Sequence, residues 1–69
     1  MGEAMQSPGR VMALDVGEVR IGVAVSDPLG IAAHPLTVLD RTQLDRDVAD
    51  IVRLAEEQSA SRLVVGLPL

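Results

Sequence analysis

The chain has 69 residues and a net charge of −4; its six basic residues are all arginine, and it contains no Cys, Trp, Tyr or Phe. That is one small domain at most, with a core of Val, Leu, Ile, Ala and Met and neither a disulfide framework nor a cysteine-based zinc site. The acidic balance excludes a broad basic footprint for nucleic acid, although not an acidic nuclease centre. No run of about 18 apolar residues is present to span a membrane. The N-terminus lacks the apolar core of a signal peptide. A cysteine-free chain fits a reducing compartment, so the expected location is cytoplasmic.

Residues 1–9 (MGEAMQSPG) are polar with Pro8 and Gly9, and read as a disordered leader before a single unit over residues 10–69. Residues 10–16 form a first predicted strand. Gly17, Glu18 and Val19 make a tight connection in which Gly17 is free to adopt positive φ. Residues 20–26 form a second strand, with Ile21, Val23 and Val25 on one face and Gly22, Ala24 and Ser26 on the other. The two strands read as a hairpin. Asp27, Pro28, Leu29 and Gly30 suit a type I turn, which Asp27 is placed to cap. Residues 31–39 form a third strand, and Pro35 within it demands an edge position.

Residues 42–59 read as a helix, with Leu44, Val48, Ile51, Val52 and Ala55 as its apolar stripe. Thr42 and Asp45 resemble a capping box with Asp in place of Glu. Asp45, Asp47 and Asp50 crowd the half of the helix where the dipole favours negative charge. The arginines and glutamates beyond them read as a solvated face. Residues 62–69 (RLVVGLPL) are nearly all apolar and read as a strand buried on both faces, as in a parallel sheet. A β-β-β-α-β order with a right-handed crossover puts this fourth strand beside and parallel to the first. The fold class is therefore α/β, with a mixed sheet in the order 3-2-1-4. The fourth strand then presents an apolar edge suited to pairing.

Asp15 interrupts the otherwise apolar first strand. Asp is depleted in strands, and a carboxylate beside a core is costly unless it is paired or binds a metal. Two readings follow: an acceptor for amides of the Gly17–Glu18 turn, or a metal ligand. Arg20 has a similar choice, between a surface pair with Glu18 or Asp27 and a bidentate phosphate contact. Glu18 reads as a solvated turn residue, and Gly17 and Gly22 as serving backbone geometry. The single histidine, His34, is held extended by Pro35 and has no second His or Cys with which to bind zinc.

The stretch LDVGEVRIGVAVSD resembles the opening of the YqgF family, also called RuvX, whose members are described as Holliday junction resolvases or pre-16S rRNA nucleases. The matching positions are Asp15, Gly17, Arg20, Ile21, Gly22, Ala24, Ser26 and Asp27. The later VVGLPL, at residues 64–69, resembles the family's second signature. The resemblance implies an RNase H-like fold, of which this β-β-β-α-β order is the N-terminal portion. It implies a nuclease using two divalent ions, Mg²⁺ or Mn²⁺, held by carboxylates. Asp15 is then the catalytic and metal-binding carboxylate and Arg20 a substrate contact, while Gly17, Gly66 and Pro68 shape the site. The substrate is precursor 16S rRNA or branched DNA. Family members continue beyond the second signature, so this chain is expected to lack the later carboxylates and to be inactive alone.

Two other readings compete. Nucleotide-binding modules of the actin, Hsp70 and sugar-kinase type share the element order and an Asp-x-Gly. They usually follow it with Thr or Ser to meet phosphate, where this chain has Glu18. A non-catalytic fragment pairing through residues 63–69 is the third.

Overall fold

A computed structural model describes residues 9–27, 29 and 32–67. The chain runs β1 (Arg10–Val16), β2 (Arg20–Ser26), β3 (Ala33–Asp40), α1 (Leu44–Glu57) and β4 (Ala60–Gly66). The four strands form one sheet in the order β3-β2-β1-β4, as the element order predicts. β1 pairs antiparallel with β2 and parallel with β4, so it is a central strand. β3, which contains Pro35, is an edge strand. A register shift opposite Val23 and Ala24 leaves Leu36 without a partner residue beside the proline. Met1 to Pro8 of the expected leader, and Pro28 and Gly30 of the expected turn, lie outside the described residues. Across that connection the Asp27 amide donates to Ala32 O at 2.9 Å.

Strand alternation decides which face is covered. Met12 and Leu14 of β1 and Ile21 and Val23 of β2 are buried together, with Val16, Leu36, Leu39, Ile51, Leu54, Ala55 and Ala60 packed against them. Val25 is also buried. α1 therefore covers this face through Ile51, Leu54 and Ala55, which share one side of a helix. The opposite face carries Ala13, Asp15, Gly22 and Ala24. Ser26 is buried at the far end of β2, where its Oγ accepts the Val11 amide at 2.8 Å.

Several expectations need correction. α1 is two residues shorter at each end than the predicted 42–59. Leu44, Val48 and Val52 of the expected stripe stay exposed, because the covered side of the helix runs through Leu54 instead. The N-cap residue, Gln43, makes no capping hydrogen bond with its side chain. The Thr42 contact runs to Asp47, not Asp45: the buried Asp47 carboxylate accepts Thr42 N at 3.1 Å and Thr42 Oγ1 at 2.8 Å. Asp45 instead accepts the neighbouring Arg46 amide at 2.9 Å.

The helix stops at Glu57 because the chain must reverse into β4, and Ser59 takes a left-handed φ of 54° to do so. β3 covers Ala33–Asp40 rather than residues 31–39, with Ile31 outside the described residues. β4 begins earlier than predicted, at Ala60, and is not buried on both faces. Leu63, Val64 and Val65 are 46%, 50% and 50% exposed, because β4 has a strand on one side only and α1 covers it sparsely. Among the described residues no helix is long and apolar enough to cross a membrane.

Candidate functional site

The site is built where the hairpin, the start of β2 and the end of β4 meet. Asp15 stands at the carboxyl end of β1 on the face away from α1. Its neighbour on β2 is Gly22 and its neighbour on β4 is Gly66. A Cβ on residue 22 would lie 3.7 Å from the Asp15 Cβ, so both flanks of the carboxylate are free of side chains. Asp15 is exposed, and among the described residues its carboxylate has no hydrogen-bond or ion-pair partner. The turn does not use it as an acceptor. The Gly17 amide donates to Arg20 O at 2.8 Å instead.

Gly17 serves this turn by close approach, not by the positive φ expected of it. A Cβ there would come 3.0 Å from Arg20 O, and Gly9 is the only described glycine with positive φ. Gly66 lies beside Asp15 as expected, and Pro68 lies outside the described residues. From Asp15 an open groove of about 360 Å³ runs across the uncovered face, lined by Ala13, Gly22, Ala24, Pro35 and Val38 among others. Its walls are mostly apolar, with Thr37 and His34 the other polar lining residues, and Asp15 is the carboxylate that lines it.

Arg20 is exposed at the start of β2. Its ion pair is with Asp40, its register partner on β3, at 3.8 Å, rather than with Glu18 or Asp27. An exposed pair of that length adds little stability and leaves the guanidinium available to other anions. Glu18 is exposed on the turn, as read from the sequence. His34 is exposed on β3 opposite Val25, and it lines the same groove as Asp15.

One residue of this end of the sheet escaped the sequence reading. Arg41, just past β3, donates from Nη1 to Gly17 O and from its backbone amide to Val19 O, both at 2.8 Å. The signal was available: in a β3-β2-β1 meander the end of the third strand returns beside the first turn. Asp40 and Arg41 thus grip the β1–β2 turn from both sides, one through Arg20 and the other through Gly17.

A single carboxylate with water and phosphate oxygens is an ordinary setting for Mg²⁺. Asp15 fits such a role, since it is unpartnered and open on both flanks. Among the described residues no group of three His, Cys, Asp or Glu side chains comes together, so Asp15 would be one ligand of a larger set.

The chain matches the profile of the family described as "RuvX: Holliday junction resolvase" over residues 9–69. It is 54% identical over 59 residues to a protein of Chloroflexus aurantiacus, covering 86% of this chain and 39% of that protein. To a protein of Roseiflexus sp. it is 52% identical over 62 residues, covering 90% and 44% of the two chains. To one of Clostridium beijerinckii it is 48% identical over 59 residues, covering 86% and 43%. All three bear the name "Putative pre-16S rRNA nuclease", and the chain spans about two fifths of their length. A match over residues 9–69, on a sheet with the expected β3-β2-β1-β4 order, makes this chain a member of the RuvX (YqgF) family, with that family's RNase H-like α/β architecture.

Proposed function

We propose that this chain carries the first carboxylate of a metal-dependent nuclease centre, with Asp15 as a ligand of Mg²⁺ or Mn²⁺. The substrate class is nucleic acid. Precursor 16S rRNA is the first choice, because the relatives are named for it, and branched DNA is the second, from the family's description. The observation that carries the reading is the unpartnered Asp15 on a central strand between Gly22 and Gly66, in a chain of this family.

When bound, a pair of divalent ions stabilises the attacking and leaving oxygens of phosphodiester hydrolysis. Asp15 holds its share of that charge from a rigid strand rather than from a loop, which keeps the carboxylate oriented. Gly22 and Gly66 leave room beside it for water and phosphate oxygens. Arg20 contributes a planar donor group for phosphate. Gly17 keeps the turn tight, and Gly66 shapes the approach beside Asp15. Among the described residues no group of three His, Cys, Asp or Glu side chains comes together here, so the 69 residues are expected to bind metal without cleaving. Maturation of ribosomal RNA would put the protein in the cytoplasm.

Titration of isotope-labelled protein with Mg²⁺ and Mn²⁺, followed by NMR, tests the metal role. Shifts and paramagnetic broadening centred on Asp15, Gly17 and Gly66 are expected, and Asp15→Asn should abolish them. Broadening centred on Asp45 and Asp50 of α1 instead would remove Asp15 from the role. Incubation with precursor 16S rRNA fragments and four-way DNA junctions tests the rest. Specific cleavage by this chain, lost in Asp15→Asn, would overturn the expectation that it is inactive alone.

A second reading concerns β4, with Leu63, Val64 and Val65 about half exposed on an unpaired edge. Such an edge is a template for strand addition. Self-association through residues 63–69 is expected to raise the mass seen by light scattering with concentration, and Val64→Lys should suppress it. A monomeric mass at every concentration would dismiss this reading.

A further inference from the structure

Arg41 is the residue of the site's end that neither the element pattern nor the Asp-x-Gly motif assigns. Its side chain is exposed yet held, by one hydrogen bond of 2.8 Å to Gly17 O, two residues beyond Asp15. A second bond of the same length, from its backbone amide to Val19 O, fixes the main chain from which it projects. A guanidinium has five N–H donors in a fixed fork, and only Nη1 is engaged among the described residues. No carboxylate pairs with it there, whereas Arg20 is paired with Asp40, and Arg53 with Asp50 and Glu57. The result is an anchored cation with no ion-pair partner among the described residues, held on the carbonyl two residues past Asp15.

We propose that Arg41 is a phosphate-contacting residue of this site, binding the backbone of a nucleic-acid strand at the Asp15 end of β1. The inference rests on the nuclease reading and deepens it by naming the group that meets the substrate beside the carboxylate. The charge pattern favours a directed contact over a general field. Asp15, Glu18 and Asp40 surround the same turn, and the chain carries a net charge of −4. A polyanion approaching this end is therefore met by oriented donors or by nothing. Arginine suits that task because its fork matches two phosphate oxygens at once. Anchoring through Gly17 O also removes part of the rotamer freedom that an exposed arginine would otherwise lose on binding.

The test separates a phosphate contact from a brace for the turn. Arg41→Gln keeps an N–H donor for Gly17 O and removes the charge; Arg41→Lys keeps the charge and loses the fork. Binding of a short single-stranded RNA to the full chain is measured by fluorescence anisotropy over a series of salt concentrations, with far-UV circular dichroism confirming the fold of each variant. Arg41→Gln is expected to weaken binding about tenfold and to lower the slope of log K against log salt by about one. Arg41→Lys should restore the slope but only part of the affinity. Arg53→Gln, on the outer side of α1, should leave the slope unchanged. Binding by the unmodified chain with an Arg41→Gln slope equal to its own would overturn the Arg41 contact and leave the nuclease reading standing. Loss of fold in Arg41→Gln together with a reduced slope in the folded Arg41→Lys would also overturn it, by making Arg41 a structural brace. No binding of RNA by the folded unmodified chain would overturn both.

Discussion

Asp15 and Gly22 face each other across the β1–β2 pair, with 3.7 Å between the Asp15 Cβ and the position a Cβ on residue 22 would take. The pairing leaves the Asp15 carboxylate without a side chain beside it on either neighbouring strand. Its cost is small because Asp15 is exposed, so the residue does not need a partner to be tolerated.

Asp15→Asn should therefore change folding stability by no more than about 0.5 kcal/mol while eliminating metal-dependent NMR shifts. Gly22→Ala meets only ordinary contact distance, and should be neutral or stabilise by up to about 1 kcal/mol. Gly22→Leu should fold and yet weaken Mn²⁺ binding by crowding the carboxylate. Urea denaturation and metal titration of the three variants check this. Unimpaired Mn²⁺ binding in Gly22→Leu would refute the claim that the open flank matters.

Thr42 and Asp47 hold the entry to α1, and Asp47 is one of the two buried polar residues described, the other being Ser26. Asp47→Ala strands the Thr42 amide and hydroxyl and should cost about 1–3 kcal/mol. Thr42→Val removes only the hydroxyl bond and should cost less. A double-mutant cycle should give a coupling of at least about 0.5 kcal/mol; additive losses would mean the two act separately.

Ser59 bears a left-handed φ of 54°, a conformation that favours glycine. Ser59→Gly should stabilise the fold by up to about 1 kcal/mol, since the relief of strain exceeds the added freedom of the unfolded chain. A lower urea midpoint than that of the unmodified chain would contradict this.

Gly9 also has positive φ, at 69°, and a Cβ there would meet Ser61 Oγ at 2.5 Å and Ser61 Cβ at 3.0 Å. Gly9→Ala should destabilise by more than about 1 kcal/mol, from backbone strain and from displacement of the start of β4. Thermal unfolding reads it directly; an unchanged midpoint would show that the packing of Gly9 on Ser61 is dispensable.

The sequence by itself determined the elements and their order. Alternation over Ile21, Val23 and Val25 identified β2 and its buried face, and Pro35 put β3 at an edge because it has no amide to give. Strand, strand, strand, helix, strand then left few arrangements, and the 3-2-1-4 sheet followed. Asp15 stood out because a carboxylate interrupting an apolar strand asks for a reason. What only the tertiary structure decided were the relations between distant residues. Whether an apolar side chain is buried depends on what lies over it, so Leu44, Val48, Val52 and most of β4 look like core in the sequence and are exposed in the fold. Whether Asp15 or Arg20 is paired depends on which groups the strands carry alongside. Register put Gly22 and Gly66 beside the carboxylate and Asp40 beside Arg20. For Arg41 the meander order places the end of β3 beside the first turn, but the contact itself, with Gly17 O 24 positions away, is to a backbone atom that no side-chain pattern marks.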